Sequence, residues 1–94
     1  MHDMTGKVAI ITGGASGIGA ATARLFIEQK MWVLIADIQE AAGAKLAAEL
    51  GPQAEFCRVD VSREADVASV VKRAEARHGR LDVMFNNAGF HGSL

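Results

Sequence analysis

Short runs of β-branched and other apolar residues alternate along the chain with segments whose apolar residues recur at helical spacing. This alternation predicts βαβ units on a parallel sheet, an α/β fold. Residues 8–12, Val-Ala-Ile-Ile-Thr, are apolar at successive positions, as a strand covered by helices on both faces requires. Glycines end that run, and residues 17 to about 29 read as a first helix with Ile18, Ala21 and Leu25 as its apolar stripe. Residues 32–36 form a second buried strand. Residues 39–50 form a second helix with Ala42, Leu46 and Leu50 on one side, stopped by Gly51-Pro52.

Residues 54–59 alternate and carry Glu55 and Arg58, charges that suit an edge strand. Ser62 then offers an N-cap oxygen, Glu64 and Asp66 favour the positive end of a helix dipole, and Val67, Val70, Val71 and Ala74 recur at helical spacing up to Gly79. Residues 81–85 are a fourth strand, apolar enough to be central. In a doubly wound sheet ordered 3-2-1-4 this strand would lie at an open edge with unpaired backbone groups. Two expectations follow: the sheet continues beyond these residues, and the isolated chain self-associates into a homo-oligomer.

With 94 residues the chain makes one domain at most, an incomplete one over residues 1–94. Half the residues are hydrophobic and the formal net charge is −1, so charge gives no reason to expect nucleic acid or an anionic membrane as partner. No apolar run approaches the roughly 18 residues of a spanning helix, and no leader pattern precedes the first strand, from which a soluble, cytoplasmic protein is expected. Cys57 is the only cysteine and reads as a small strand side chain in or near the core.

Chemistry enters where the first strand turns into the first helix, at Thr12-Gly13-Gly14-Ala15-Ser16-Gly17-Ile18-Gly19. Exposed backbone N–H groups and the helix dipole make such a turn an anion site, suited to a pyrophosphate. Gly13 permits a tight turn, Gly17 a close approach to phosphate and Gly19 close packing of helix on strand, while Ser16 adds a hydroxyl donor. A triphosphate loop would need Lys and Ser or Thr after its last glycine, and Ala20 stands there instead. Asp37 ends the second strand about 20 residues past the glycines, where a carboxylate can accept hydrogen bonds from ribose hydroxyls. It could also cap the second helix.

Four motifs in order resemble the short-chain dehydrogenase/reductase family: the T-G-x-x-x-G-x-G loop at 12–19, the acid Asp37, the pair Asp60-Val61, and Asn86-Asn87-Ala88-Gly89. The resemblance runs from Thr5 to the end and implies a Rossmann-like fold that binds NAD. It implies that Gly13, Ser16, Gly17, Ile18 and Gly19 wrap the pyrophosphate and nicotinamide side. Asp37, with Ile38 beside it, would meet the adenosine ribose; Asp60 and Val61 would flank adenine; Asn87, Ala88 and Gly89 would line the ribose side. Asn86 is expected to tie strand four to neighbouring backbone, and Thr12 to brace the turn. The chain departs from the family at Lys30, where glycine is usual, so a left-handed turn there would cost on the order of 1 kcal/mol.

The family's reaction rests on a serine, a tyrosine and a lysine well beyond the N-N-A-G motif, the last two separated by three residues, with a helical asparagine assisting. This chain has no tyrosine, Ser93 comes too early, and no lysine follows Lys72. None of His2, His78 and His91 reads as a ligand or base, and no metal site is expected. Three readings stay open: the amino-terminal portion of an NAD-dependent oxidoreductase acting on an alcohol or carbonyl substrate, a stand-alone nucleotide-binding module without turnover, and an interaction protein using its strand-four edge. In the first, these 94 residues alone are inactive.

Overall fold

The computed structural model describes residues 3–87, which run β1 (Val8–Thr12), α1 (Gly17–Glu28), β2 (Trp32–Asp37), α2 (Glu40–Leu50), β3 (Ala54–Arg58), α3 (Glu64–His78) and β4 (Val83–Asn86). The strands form one parallel sheet in the order β3-β2-β1-β4, as the alternation of elements predicts. Because successive strand residues point to opposite faces, each strand feeds two cores. Val8, Ile10, Leu34, Ala36, Cys57 and Val59 meet Val70 and Ala74 of α3 on one face. Ile11, Val33 and Ile35 meet Ala23 of α1 and Leu46 of α2 on the other. All five residues of β1 are buried.

Helix α1 lies on the sheet by a different stripe from the one its sequence suggests. Ile18 and Leu25 are 70% and 53% exposed and Ala21 is exposed, whereas Gly19 and Ala23 are buried and Ala20, Phe26 and Ile27 pack against the core. Both stripes obey helical spacing. Contact at Gly19 selects the second, since a side chain there would leave no room for the helix.

The helix ends in a turn closed by two crossed hydrogen bonds, Met31 N–H to Phe26 O (3.1 Å) and Lys30 N–H to Ile27 O (2.9 Å). Lys30 takes φ 65°, the left-handed position expected of it, and Met31 buries fully behind it.

Ser62 does not cap α3. Its hydroxyl donates to Asp60 Oδ1 (2.6 Å), Arg63 occupies the cap position without a side-chain bond, and Asp66 Oδ2 accepts from Asp60 N–H (3.0 Å). Gly79 closes the helix at φ 74°. Strand β3 lies at the sheet edge, as its charges suggest; Glu55 is half-buried and ion-paired with Arg73 (2.5 Å) and Arg77 (3.2 Å) of α3, while Arg58 stays exposed. Cys57 is buried, and that burial pushes its thiol pKa up.

Strand β4 pairs with β1 along Ala9–Thr12 and, among the described residues, with no strand on its outer edge. Asp82 sets the register. Its Oδ2 accepts from Val8 N–H (2.8 Å) and its backbone N–H donates to Val8 O (2.9 Å), while Arg80 grips both carboxylate oxygens at 2.8 Å.

The Arg80 hydrogen bonds, then the Val8 N–H, hold the Asp82 carboxyl below the usual carboxylate range. A folded pKa below the unfolded one stabilises above the unfolded value, and that stabilisation is lost as pH falls through the folded value. Asp82→Asn should therefore lower the melting temperature at neutral pH and flatten its acid dependence, which thermal melts across the acidic range would reveal; an unchanged acid profile would contradict the linkage.

Packing makes a second prediction. A Cβ on Gly43 of α2 would lie 2.2 Å from the Phe56 ring, so overpacking of about 1–3 kcal/mol should outweigh the roughly 1 kcal/mol that alanine adds to a helix. Gly43→Ala should destabilise in the unmodified chain and stabilise when Phe56 is Ala, and denaturant melts of the four proteins measure the reversal.

Candidate functional site

Register brings the carboxyl ends of all four strands to one level. Thr12 lies opposite Ala36 on one side and Asn86 on the other, and Ala36 lies opposite Cys57. The turns leaving those ends, at Gly13, at Asp37 and Ile38, at Asp60 and Val61, and at Asn87, therefore share one rim. In open α/β sheets ligands bind at this rim.

The glycine-rich loop is fixed there through hydrogen bonds to its own backbone groups. Gly13 N–H donates to Ala36 O (2.8 Å), and Gly13 O accepts from Asn87 Nδ2 (3.2 Å). Gly13 and Gly17 have φ of 67° and 58°, conformations that favour glycine. A Cβ on Gly19 would sit 2.1 Å from Gly13 O, so α1 can approach the loop only without one.

Helix α1 begins bare. Ser16 makes no side-chain cap bond and no acid occupies the first turn, whereas α2 has Glu40 and α3 has Glu64 and Asp66 in theirs. Ser16, Gly17 and Ile18 are exposed. This end presents N–H groups and the positive end of the dipole to solvent, the arrangement that takes an anion.

Asp37 stands beside it, 6% exposed. Its Oδ2 accepts from Ala15 N–H (3.0 Å) in the loop and its Oδ1 from Gln39 N–H (2.9 Å). The helix cap proper is Gln39, so Asp37 braces the α2 entry from two residues away rather than capping it. Ile38, beside it, is 52% exposed.

Asp60 and Val61 are half-buried. Val59 N–H donates to Asp37 O (3.0 Å), linking that turn to the end of β2. The Ser62 hydroxyl and N–H bonds hold the Asp60 carboxyl below its ordinary range, so it is an anion at neutral pH.

The amide that ties β4 to the loop belongs to Asn87, not to Asn86, whose side chain is exposed. Thr12 braces strand four through Oγ1 to Phe85 O (3.3 Å). Ala88 and Gly89 fall outside the described residues, as do His2 and His91.

Gly14, Ala15 and Asp66 complete the site and carried no such role in the sequence. A Cβ on Gly14 would meet Ile11 O at 3.0 Å, so the double glycine was a signal. Ala15 acts through its N–H, which no side chain advertises. Elsewhere, a pocket of about 240 Å³ opens at the start of β2 and β3, lined by Trp32, Gln53, Glu55, Arg77 and His78. Its Arg77 and Glu55 are already paired and its Trp32 and His78 rings already in contact, tilted by 32° with centroids 5.1 Å apart, so it offers less than the rim.

Gly19→Ala should lower stability by about 2 kcal/mol or more, because backbone, not a yielding side chain, stands in the way. The change should also abolish anion binding at the loop; a folded variant with undiminished affinity for ADP would contradict the geometry.

Comparison with known proteins agrees with this architecture. The chain is 60% identical over 90 residues to momilactone A synthase of Oryza sativa subsp. japonica and 58% identical over 86 residues to tropinone reductase-like 1 of Erythroxylum coca, covering 95% and 92% of itself but 33% and 32% of those proteins. It thus spans about a third of the length of the curated relatives it matches.

Among solved structures, a short chain dehydrogenase/reductase from Burkholderia phymatum in complex with NAD superposes with a TM-score of 0.85 at 33% identity, over 89% of this chain and 31% of that one. A 3-ketoacyl-(acyl-carrier-protein) reductase from Brucella melitensis complexed with NADH gives 0.82 at 37% identity, over 86% and 33%. The short chain dehydrogenase family model matches residues 7–94, and the chain belongs to that family.

Proposed function

We propose that this chain is the NAD-binding portion of an oxidoreductase that moves a hydride between NAD(H) and an alcohol or carbonyl substrate. The observation that carries the reading is the Asp37–Ala15 hydrogen bond, which sets a buried carboxylate directly against an uncapped, glycine-rich anion loop. That pairing suits a diphosphate joined to a ribose. The NAD and NADH named for the two similar structures support it.

In this reading Gly13, Ser16, Gly17, Ile18 and Gly19 wrap the pyrophosphate and nicotinamide side, with the Ser16 hydroxyl and the N–H groups at the start of α1 as donors, since Gly13 and Ala15 N–H are already engaged by Ala36 O and Asp37. Asp37 accepts from the ribose hydroxyls with Ile38 beside it. Asp60 and Val61 flank adenine, and Asn87, Ala88 and Gly89 line the ribose side. Bound nicotinamide supplies the hydride chemistry. The 94 residues contain no tyrosine, and lack of the proton donor expected of the family would forfeit about a hundred- to ten-thousand-fold in rate. The domain is accordingly one incomplete nucleotide-binding unit.

Charge decides between cofactors. A ribose 2′-phosphate would face the Asp37 carboxylate, and Ala15, Ser16 and Ile38 offer no cation to neutralise it. NAD should bind more tightly than NADP by at least about tenfold, measured by titrating the chain with each, and equal affinities would refute the reading. In the same samples, nicotinamide absorbance with a panel of alcohols and ketones should stay at the buffer control.

A further inference from the structure

The two carboxylate bonds of Asp37 join two neighbouring segments of the rim. Oδ2 reaches Ala15 N–H across 22 residues of chain and Oδ1 takes Gln39 N–H, so one buried side chain ties the β1–α1 loop to the β2–α2 turn. The other two restraints on the loop, from Ala36 O and Asn87 Nδ2, both act at Gly13. Between Gly13 and Gly17, both at positive φ, the chain has little conformational preference of its own. Gly14 and Ala15 are buried there, and among the described residues the Ala15 bond is the one hydrogen bond that ties this middle to another strand's end.

We propose that Asp37 is a positioning residue for the phosphate loop, fixing it through Ala15 N–H, as well as the acid that selects the ribose. The proposal rests on the nucleotide-binding reading above. The two roles are compatible, because an ionised carboxylate has about four acceptor sites and the two amides leave the remainder for ligand hydroxyls. Cofactor choice and loop shape are then coupled. Exchanging Asp37 for a residue that tolerates a 2′-phosphate also releases the loop, so such a swap, even with a basic residue at position 38, loses NAD without gaining NADP in proportion.

ADP and 2′,3′-dideoxy-ADP separate the roles, since they differ only in the ribose hydroxyls. If Asp37 served the ribose alone, Asp37→Ala would weaken ADP and leave the dideoxy compound unchanged, or tighten it by removing a negative charge beside the anion. Positioning predicts the opposite sign: both ligands weaken, the dideoxy compound by about tenfold, in calorimetric titration of the 94-residue chain. Unchanged or tighter binding of the dideoxy compound overturns the proposal.

Amide hydrogen exchange in the ligand-free chain gives an independent readout. Ala15 N–H should exchange slowly in the unmodified chain and fast in Asp37→Ala, with Gly13 N–H and the β1 amides unaltered; equal Ala15 rates overturn positioning. If Asp37→Ala unfolds, Asp37→Asn, which keeps one acceptor oxygen, should free either Ala15 or Gln39 but not both, and protection of both would count against the proposal. Should the unmodified chain bind neither nucleotide, the nucleotide reading fails by itself, and Ala15 exchange still decides the positioning role.

Discussion

A strand covered on both faces and paired on both edges has no free direction in which to shift, and β1 is in that position. Val8, Ala9, Ile10 and Ile11 have no exposed surface, β2 runs along one edge and β4 along the other, and helices lie above and below. Each buried aliphatic side chain of this kind contributes on the order of 2 kcal/mol. Any slip by one residue would exchange the two faces. Asp82, gripping Val8 in both directions, fixes where β4 begins against it.

From that register the rim follows without further instruction. The strands end level, so the turns after them are neighbours although they are far apart in sequence. Three direct bonds join all four turns: Asn87 to Gly13, Ala15 to Asp37, and Val59 to Asp37. The acceptors and donors in these bonds are mostly backbone, which is why the rim can keep its shape while leaving an anion-binding helix end open to solvent.

Carboxylates do most of the remaining organising. Asp37 serves the loop and the α2 entry, Asp60 and Asp66 fold the turn into α3, and Asp82 begins β4. A carboxylate oxygen receiving N–H groups makes charge-assisted bonds stronger than neutral ones. Clustered acids also set the sign of the rim: anionic ligands are admitted where amides point outward at the glycine loop and opposed beside Asp37.

Sequence alone determined the element order, the parallel sheet and the positions of the loop and Asp37, because hydrophobic period and glycine placement are local properties that spacing reveals; the 3-2-1-4 order came with the doubly wound topology, and Asp60 was marked only by the family resemblance. Lys30 was legible through the family resemblance, since glycine is usual where it takes its left-handed position.

Tertiary structure decided the rest. Which of two equally periodic stripes of α1 faces the sheet depends on how closely Gly19 approaches Gly13 O. Whether Ser62 caps a helix or holds Asp60, and whether Asn86 or Asn87 ties β4 to the loop, depend on which backbone groups the fold brings within about 3 Å. The Ala15 bond to Asp37 was invisible for the plainest reason: its donor is a main-chain N–H that every residue but proline carries, and only three-dimensional proximity singles one out.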